Sequence, residues 1–278
     1  MTVRARETGA HRGILRDAGR AVGGALIFSL PMLMTMEMWQ LAYTIEGWRL
    51  ALLLAVAVPL LVGLSHVIGF EERRTLRESA MDASFAFGIA AFTSLVVLTI
   101  LGVLAPGMSG DEIAGKIAIQ SVPAAIGALL ARSQLKSSDD DDALGDRKET
   151  YAGELFLMAV GALFLGFNLA PTEEMILISY QMSKWHAIVL VAISIAAMHG
   201  FVFAVEFKGG SELSEDTPWW SALFRFTLPG YAIAALIALF MLWVFGRTDG
   251  LAPEMVVMAM VVLAFPAAIG AAAARLIL

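Results

Sequence analysis

No cysteine occurs among the 278 residues. A disulfide framework, a thiolate metal site and a cysteine nucleophile are therefore excluded. Charge is scarce as well, with Asp, Glu, Lys and Arg at 16% of the chain against about 25% in soluble domains. The net charge of −6 is spread over the short stretches between apolar runs, so it indicates no polyanionic partner such as nucleic acid. No HExxH pattern and no Walker-type phosphate loop are present. A lysine suited to a retinal Schiff base is missing from the seventh apolar run. The one GxSG string, Gly107-Met108-Ser109-Gly110, falls in a loop on the opposite side of the membrane from His199. A serine and its base need hydrogen-bond contact, about 2.6–3.2 Å, so an intramembrane serine protease of the rhomboid type is excluded. The expectation is a protein that is not an enzyme and carries no cofactor.

What the chain has in abundance is apolar length. Hydrophobic residues reach 59%, and they come in runs near the roughly twenty residues that a helix needs to cross a bilayer. Eight runs are legible, at 21–44, 48–70, 81–105, 113–132, 153–170, 184–206, 219–246 and 252–275. This composition predicts an all-α, polytopic integral membrane protein of about eight transmembrane helices. The arginine-rich start precedes a run too long for a signal-peptide core and without a cleavage site, so that run reads as the first span.

Orientation follows from the basic residues. Fifteen of the 19 Lys and Arg fall on the side of the termini, and only Arg49, Lys116, Lys184 and Arg247 fall on the other. The positive-inside rule then places both termini in the cytoplasm. Trp39, Tyr43, Trp48, Tyr180, Trp185 and Trp243 form the expected outer aromatic belt, with Trp219 and Trp220 at the inner one.

The chain repeats itself. Residues 123–132 read PAAIGALLAR and residues 266–275 read PAAIGAAAAR, identical at eight of ten positions. Ala25-Leu26 aligns with Ala162-Leu163, Thr35 to Met38 with Thr172 to Met175, and His66 with His199. An even number of spans per half gives the halves one orientation, so two parallel four-helix repeats related by an axis along the membrane normal are expected. The domains are then a cytoplasmic segment 1–20, a first repeat 21–132, an acidic linker 133–150 and a second repeat 151–278. The run Asp139 to Asp142 in that linker lacks the spacers and the turn glycine of a calcium loop and reads as a solvated charge run.

Functional candidates are the polar residues in apolar surroundings. An ionisable group at the centre of a span costs about 2.5–3.5 kcal/mol on insertion scales, so it is a functional candidate by default. Glu37, late in the first run, is the foremost. Its counterpart Glu174, with Glu173, follows Pro171, where Thr172 is placed to cap a new helical turn that favours carboxylates whatever their function. His66 and His199 lie near the inner ends of spans two and six, with Gln120, Ser121 and Asn168 as neutral lining. Asp82 and Glu154 lie near span ends and are expected to be solvated. The glutamates and histidines lie at two levels, too far apart for one metal. Pro123, Gly127, Pro266 and Gly270 sit on small-residue stripes that suit close helix packing in lipid.

The segments PMLMTMEMW (Pro31 to Trp39), Gly47-Trp48-Arg49 and NLAPTEE (Asn168 to Glu174) resemble a bacterial family of integral membrane proteins of unknown function. The resemblance implies a multi-pass protein of the bacterial inner membrane and carries over no substrate and no catalytic residue. From the residues themselves, the expectation is a small transporter or channel for a cation, protons foremost, with its path near the axis between repeats. The alternative is a non-transporting scaffold, assembly or signalling partner in the lipid bilayer. Oligomeric state is not encoded in any pattern here.

Overall fold

The computed structural model describes residues 2–68, 75–136, 150–204 and 219–277, with side chains over 18–68, 75–131, 150–201 and 220–274. The acidic run Asp139 to Asp142 lies outside the described residues. All regular structure among the described residues is helical. Seven helices are long and apolar enough to cross a membrane, or eight if one bent pair counts as a single span.

The chain forms two compact units. The first comprises Met1–Tyr43 and Leu50–Ala143, and the second comprises Thr44–Arg49 and Leu144–Leu278. In the first, α1 (Thr2–Leu33) is followed by the short α2 (Met36–Thr44), then α3 (Gly47–Ile68), α4 (Leu76–Ile100) and α5 (Gly110–Lys136). In the second, α6 (Tyr151–Leu169) is followed by the short α7 (Glu174–Gln181) and then α8 (Lys184–Ala204). A one-turn α9 (Trp219–Ala222) and a π-helical turn (Leu223–Thr227) lead into α10 (Leu228–Val244), and α11 (Pro253–Ile277) closes the chain. The order long, short, long, long, long occurs in both units. The segment 1–20, read from sequence as a separate cytoplasmic stretch, continues α1 as helix from Thr2.

Helix ends follow local chemistry. Thr75 and Glu78 form a capping box that starts α4, each accepting from the other's backbone N–H. At the far end, Gly102 adopts a φ of 71°, with its N–H bonded to Thr99 O and that of Val103 to Leu98 O. Gly246 ends α10 in the same way, at a φ of 71° with Gly246 N–H on Trp243 O and Arg247 N–H on Leu242 O. Both are Schellman caps, which need a residue without Cβ strain in the left-handed region.

The interior of each unit is organised around one close helix crossing. In the first unit α5 packs along α1 and α4. A Cβ built on Gly127 would lie 2.6 Å from Gly24 O and would overlap Phe28 Cβ, so two glycines let the α1 and α5 backbones touch. In the second unit α11 packs along α6, α10 and α8. There a Cβ on Gly161 would lie 2.5 Å from Ala274 Cβ and would overlap Gly270 O. Between apolar helices in lipid, association rests on van der Waals contact, and such crossings supply it.

Two expectations about the spans differ from the structure. The first apolar run, 21–44, is not a straight span: Ala18–Leu33 and Met36–Thr44 meet at 80°. Glu154, expected to be solvated, is 1% exposed, because it shares the buried stripe of α6 with Leu157, Met158 and Gly161.

Gly127→Val places a branched side chain against Phe28 and the Gly24 carbonyl. It should destabilise the detergent-solubilised protein by about 1–3 kcal/mol as an overpacking change. Gly88→Ala, where an added Cβ meets nothing within 4 Å, should leave the melting temperature unchanged or raise it. Equal melting of the two variants would contradict the crossing.

Candidate functional site

The break between α1 and α2 is the feature from which a site can be built. Pro31 lies in the last turn of α1 and brings no N–H to it, and helical geometry stops at Leu33. An interrupted helix leaves carbonyls without intrahelical partners, and in an apolar medium each must find a donor. Here side chains supply them, together with the Thr35 N–H, which donates to Met32 O at 3.2 Å. Gln120 Nε2, from α5, donates to Met32 O at 3.0 Å. Trp39 Nε1 donates to Leu33 O at 2.7 Å, and the Thr35 hydroxyl donates to Pro31 O. Glu37 is half-buried in the first turn of α2, where the helix dipole favours a carboxylate.

The second unit repeats the break with other groups. Pro171 separates α6 from α7, and Arg247 Nη2 donates to its carbonyl. Thr172 Oγ1 donates back to Leu169 O at 2.8 Å, so it does not cap α7. Glu173 takes the N-cap position without a side-chain cap bond and stands 3.9 Å from Arg247 Nη1. Glu174 is exposed in the first turn, and Asn168 Nδ2 folds back onto Phe164 O at 2.9 Å.

A charged cluster that sequence reading passed over lies in the first unit. Lys116 is 3% exposed within the candidate span Gly110–Ala131. Its Nζ donates to Glu112 Oε1 at 3.0 Å, Tyr43 OH at 3.1 Å and Val103 O at 3.3 Å, with Met108 Sδ at 3.7 Å. The Tyr43 hydroxyl donates in turn to Glu112 Oε1. Gly115, next to Lys116 on α5, faces Ala42 of α2, where an added Cβ would make only ordinary contact at 3.4 Å. The ammonium thus joins the end of α2, the start of α5 and the α4–α5 turn. The sequence carried a signal for it: Glu112 and Lys116 are an i,i+4 pair at the head of an apolar run.

The two histidines have matched surroundings. His66 Nδ1 lies 3.3 Å from Ser79 Oγ, and His199 Nδ1 lies 2.9 Å from Thr227 Oγ1. In both units a histidine near the end of one span meets a hydroxyl from the beginning of the next. Thr227 belongs to the π-helical turn, whose widened ladder also leaves Arg225 O to accept from Tyr151 OH at 2.7 Å. Glu37 and His66 fall in the first unit, and Glu174 and His199 in the second. Among the described residues, no three His, Asp or Glu side chains are grouped as metal ligands.

Pro123 and Pro266 lie inside α5 and α11, and Gly127 and Gly270 lie at the two close crossings. The second unit also holds a bidentate pair, Arg49 Nη1 and Nη2 on Asp249 at 2.8 and 3.0 Å, flanked by Trp48 and Trp243. Beside it, Leu236, Leu239, Phe240, Trp243, Thr248 and Val256 line an open groove of about 490 Å³ whose walls are almost wholly apolar. Such walls offer an ion no ligands.

Residues 17–278 match the model of a family described as "Putative integral membrane protein (DUF2391)". No curated protein and no solved structure matches the chain.

Removing one partner of a buried ion pair leaves the other charge uncompensated. Lys116→Met should therefore lower the melting temperature, and the double variant Lys116→Met/Glu112→Gln should recover much of the loss. Thermal melting in detergent checks this, and a double variant no better than the single one would show that Glu112 is not the partner that matters.

Proposed function

The chain belongs to this family of integral membrane proteins, and from that premise we propose that it is a small transporter or channel for a cation, with protons the favoured species. The observation that carries the reading is the 80° break between α1 and α2, which sets non-helical backbone against α5, the helix that carries the buried Lys116. Irregular backbone at membrane depth is tolerated where protein buries it or where it lines a watery cavity, and broken helices are where many transporters hold their ions. Glu37, in the first turn beyond the break, is the titratable group placed to meet a cation there. His66 and His199, each beside a hydroxyl, supply imidazoles that can relay a proton.

The matched features of the two units support an origin by duplication, which is common in transporters. The shared element order, the Gly24–Gly127 and Gly161–Gly270 crossings, the histidine–hydroxyl pairs and the Schellman glycines all favour it. A membrane location in the bacterial inner membrane, with cytoplasmic termini, belongs to the same reading and rests on the distribution of basic residues.

A second reading, a non-transporting scaffold or assembly partner, is favoured by one observation. Carbonyls at both breaks already have protein donors, Gln120 and Trp39 in one unit and Arg247 in the other. In that case the ionisable residues serve to close helix ends.

Collapse of a pH gradient in proteoliposomes separates the two, with K⁺ and valinomycin clamping the voltage. Transport predicts flux in the wild type and a loss of tenfold or more in Glu37→Gln. A wild-type trace no faster than empty liposomes, for protons and for Na⁺ or K⁺ gradients alike, would sink the transport reading and leave the scaffold.

A further inference from the structure

Hydroxyls inside membrane helices normally satisfy themselves by donating to the carbonyl one turn back. Several hydroxyls of the first unit follow this habit. Ser29 donates to Ala25 O, Ser84 to Ala80 O, Thr99 to Leu95 O and Ser121 to Ile117 O, at 2.5 to 2.7 Å. Thr93 and Ser94 do not. Both are buried, at 4% and 0% exposure, and neither Thr93 Oγ1 nor Ser94 Oγ has a hydrogen-bond partner. A third such atom lies in the same unit: Gln120 Oε1, on a residue 1% exposed.

The orientation of the Gln120 amide is fixed by chemistry. Met32 O can only accept, so Nε2 must face it, and Oε1 is turned the other way as an acceptor awaiting a donor or a positive charge. The three atoms lie on helices packed side by side, since α4 and α5 are neighbours and α1 packs on both. Counted from the α4–α5 turn at 1.5 Å per residue, Thr93 and Ser94 lie about 10 Å deep and Gln120 about 15 Å deep. That is also the level of the α1 break, because Gln120 reaches Met32. A buried polar atom without a partner costs about 1–3 kcal/mol, and three on packed helices, about 5 Å apart in depth, are not explained by helix packing.

We propose that Thr93 Oγ1, Ser94 Oγ and Gln120 Oε1 contribute to a site for a small, largely dehydrated monovalent cation. The donor set selects the class. Calcium and magnesium call for carboxylates, and none of these three groups is one. Soft metals call for sulfur or imidazole. An anion would be repelled by Oε1, which cannot donate. Neutral hydroxyl and amide oxygens suit a single positive charge, as backbone carbonyls do in ion-selective filters. Lys116, one helical turn from Gln120, does not oppose this, because Glu112 neutralises it and its ammonium is turned toward Val103 O.

The inference deepens the cation-transport reading and names the ion class, but occupancy is measured without flux. The full chain in detergent is melted in NaCl, KCl or NH₄Cl against choline chloride at constant ionic strength. At least one of the three cations should raise the melting temperature saturably by about 5 °C, the effect of a ligand near a hundred times its dissociation constant. Thr93→Val/Ser94→Ala should abolish that rise and melt in choline no lower than the wild type, since it removes unsatisfied hydroxyls. Gln120→Glu adds a full negative charge, and the rise should then reach half its height at about tenfold less salt. No cation-specific rise, a rise that survives in the double variant, or an unshifted midpoint in Gln120→Glu would overturn the site. A rise without flux would refute transport and keep the site; flux without a rise would do the reverse.

Discussion

Every backbone group of this chain that lies in an apolar medium must find its partner inside the protein, and that demand decides where the helices can be interrupted. Where the first apolar run stops being helical, at Leu33, the exposed carbonyls are met by a glutamine from a different helix, an indole six residues on and a threonine hydroxyl. Where α6 gives way to α7, a proline carbonyl is met by the Arg247 guanidinium. The polar side chains buried near the breaks are thus consequences of the interruptions, and a helix running straight through would have needed none of them.

Close packing makes such distant donors available. The Gly24–Gly127 crossing brings α5 against α1 with no side chain between, and from that distance Gln120 reaches the Met32 carbonyl. Nearer the head of α5, the buried Lys116 ammonium is held by Glu112 and by the exposed Tyr43 hydroxyl, so its charge is paired where its own side chain meets little solvent. Packing, charge pairing and backbone satisfaction in the first unit therefore depend on one another. The second unit obeys the same demands at Gly161 and Gly270, with Arg247 in place of the glutamine.

The spans were legible in the sequence because hydropathy over some twenty residues is a strong signal. Most observed limits, such as Gly47–Ile68 and Pro253–Ala274, fall close to the apolar runs. The break after Leu33 was not legible. Pro31 occurs inside α1, where a proline is compatible with helix, and the interruption that follows it is supported by Gln120, a long way off in sequence, which donates to the Met32 carbonyl. Pro171 was easier, since Thr172, Glu173 and Glu174 announce a new start. Lys116 enters the positive-inside pattern by its sign, while its spacing from Glu112 on an apolar helix carries the further clue. Thr93 and Ser94 gave no signal, because in sequence a membrane hydroxyl cannot be told from one that bonds its own helix.

The central claim is that the break at Leu33–Met36 brings water-accessible polar structure into a membrane-length element. The absence of cysteine makes one measurement clean, namely labelling of single-cysteine variants in intact membranes with a small charged methanethiosulfonate, which needs water to reach and ionise the thiol. Glu37→Cys should react readily. Ile27→Cys and Phe92→Cys, whose parent side chains are 72% and 65% exposed on apolar helix faces, should not. A thiol at position 37 no more reactive than those at 27 and 92 would mean that lipid or protein seals the break, and the account would fail.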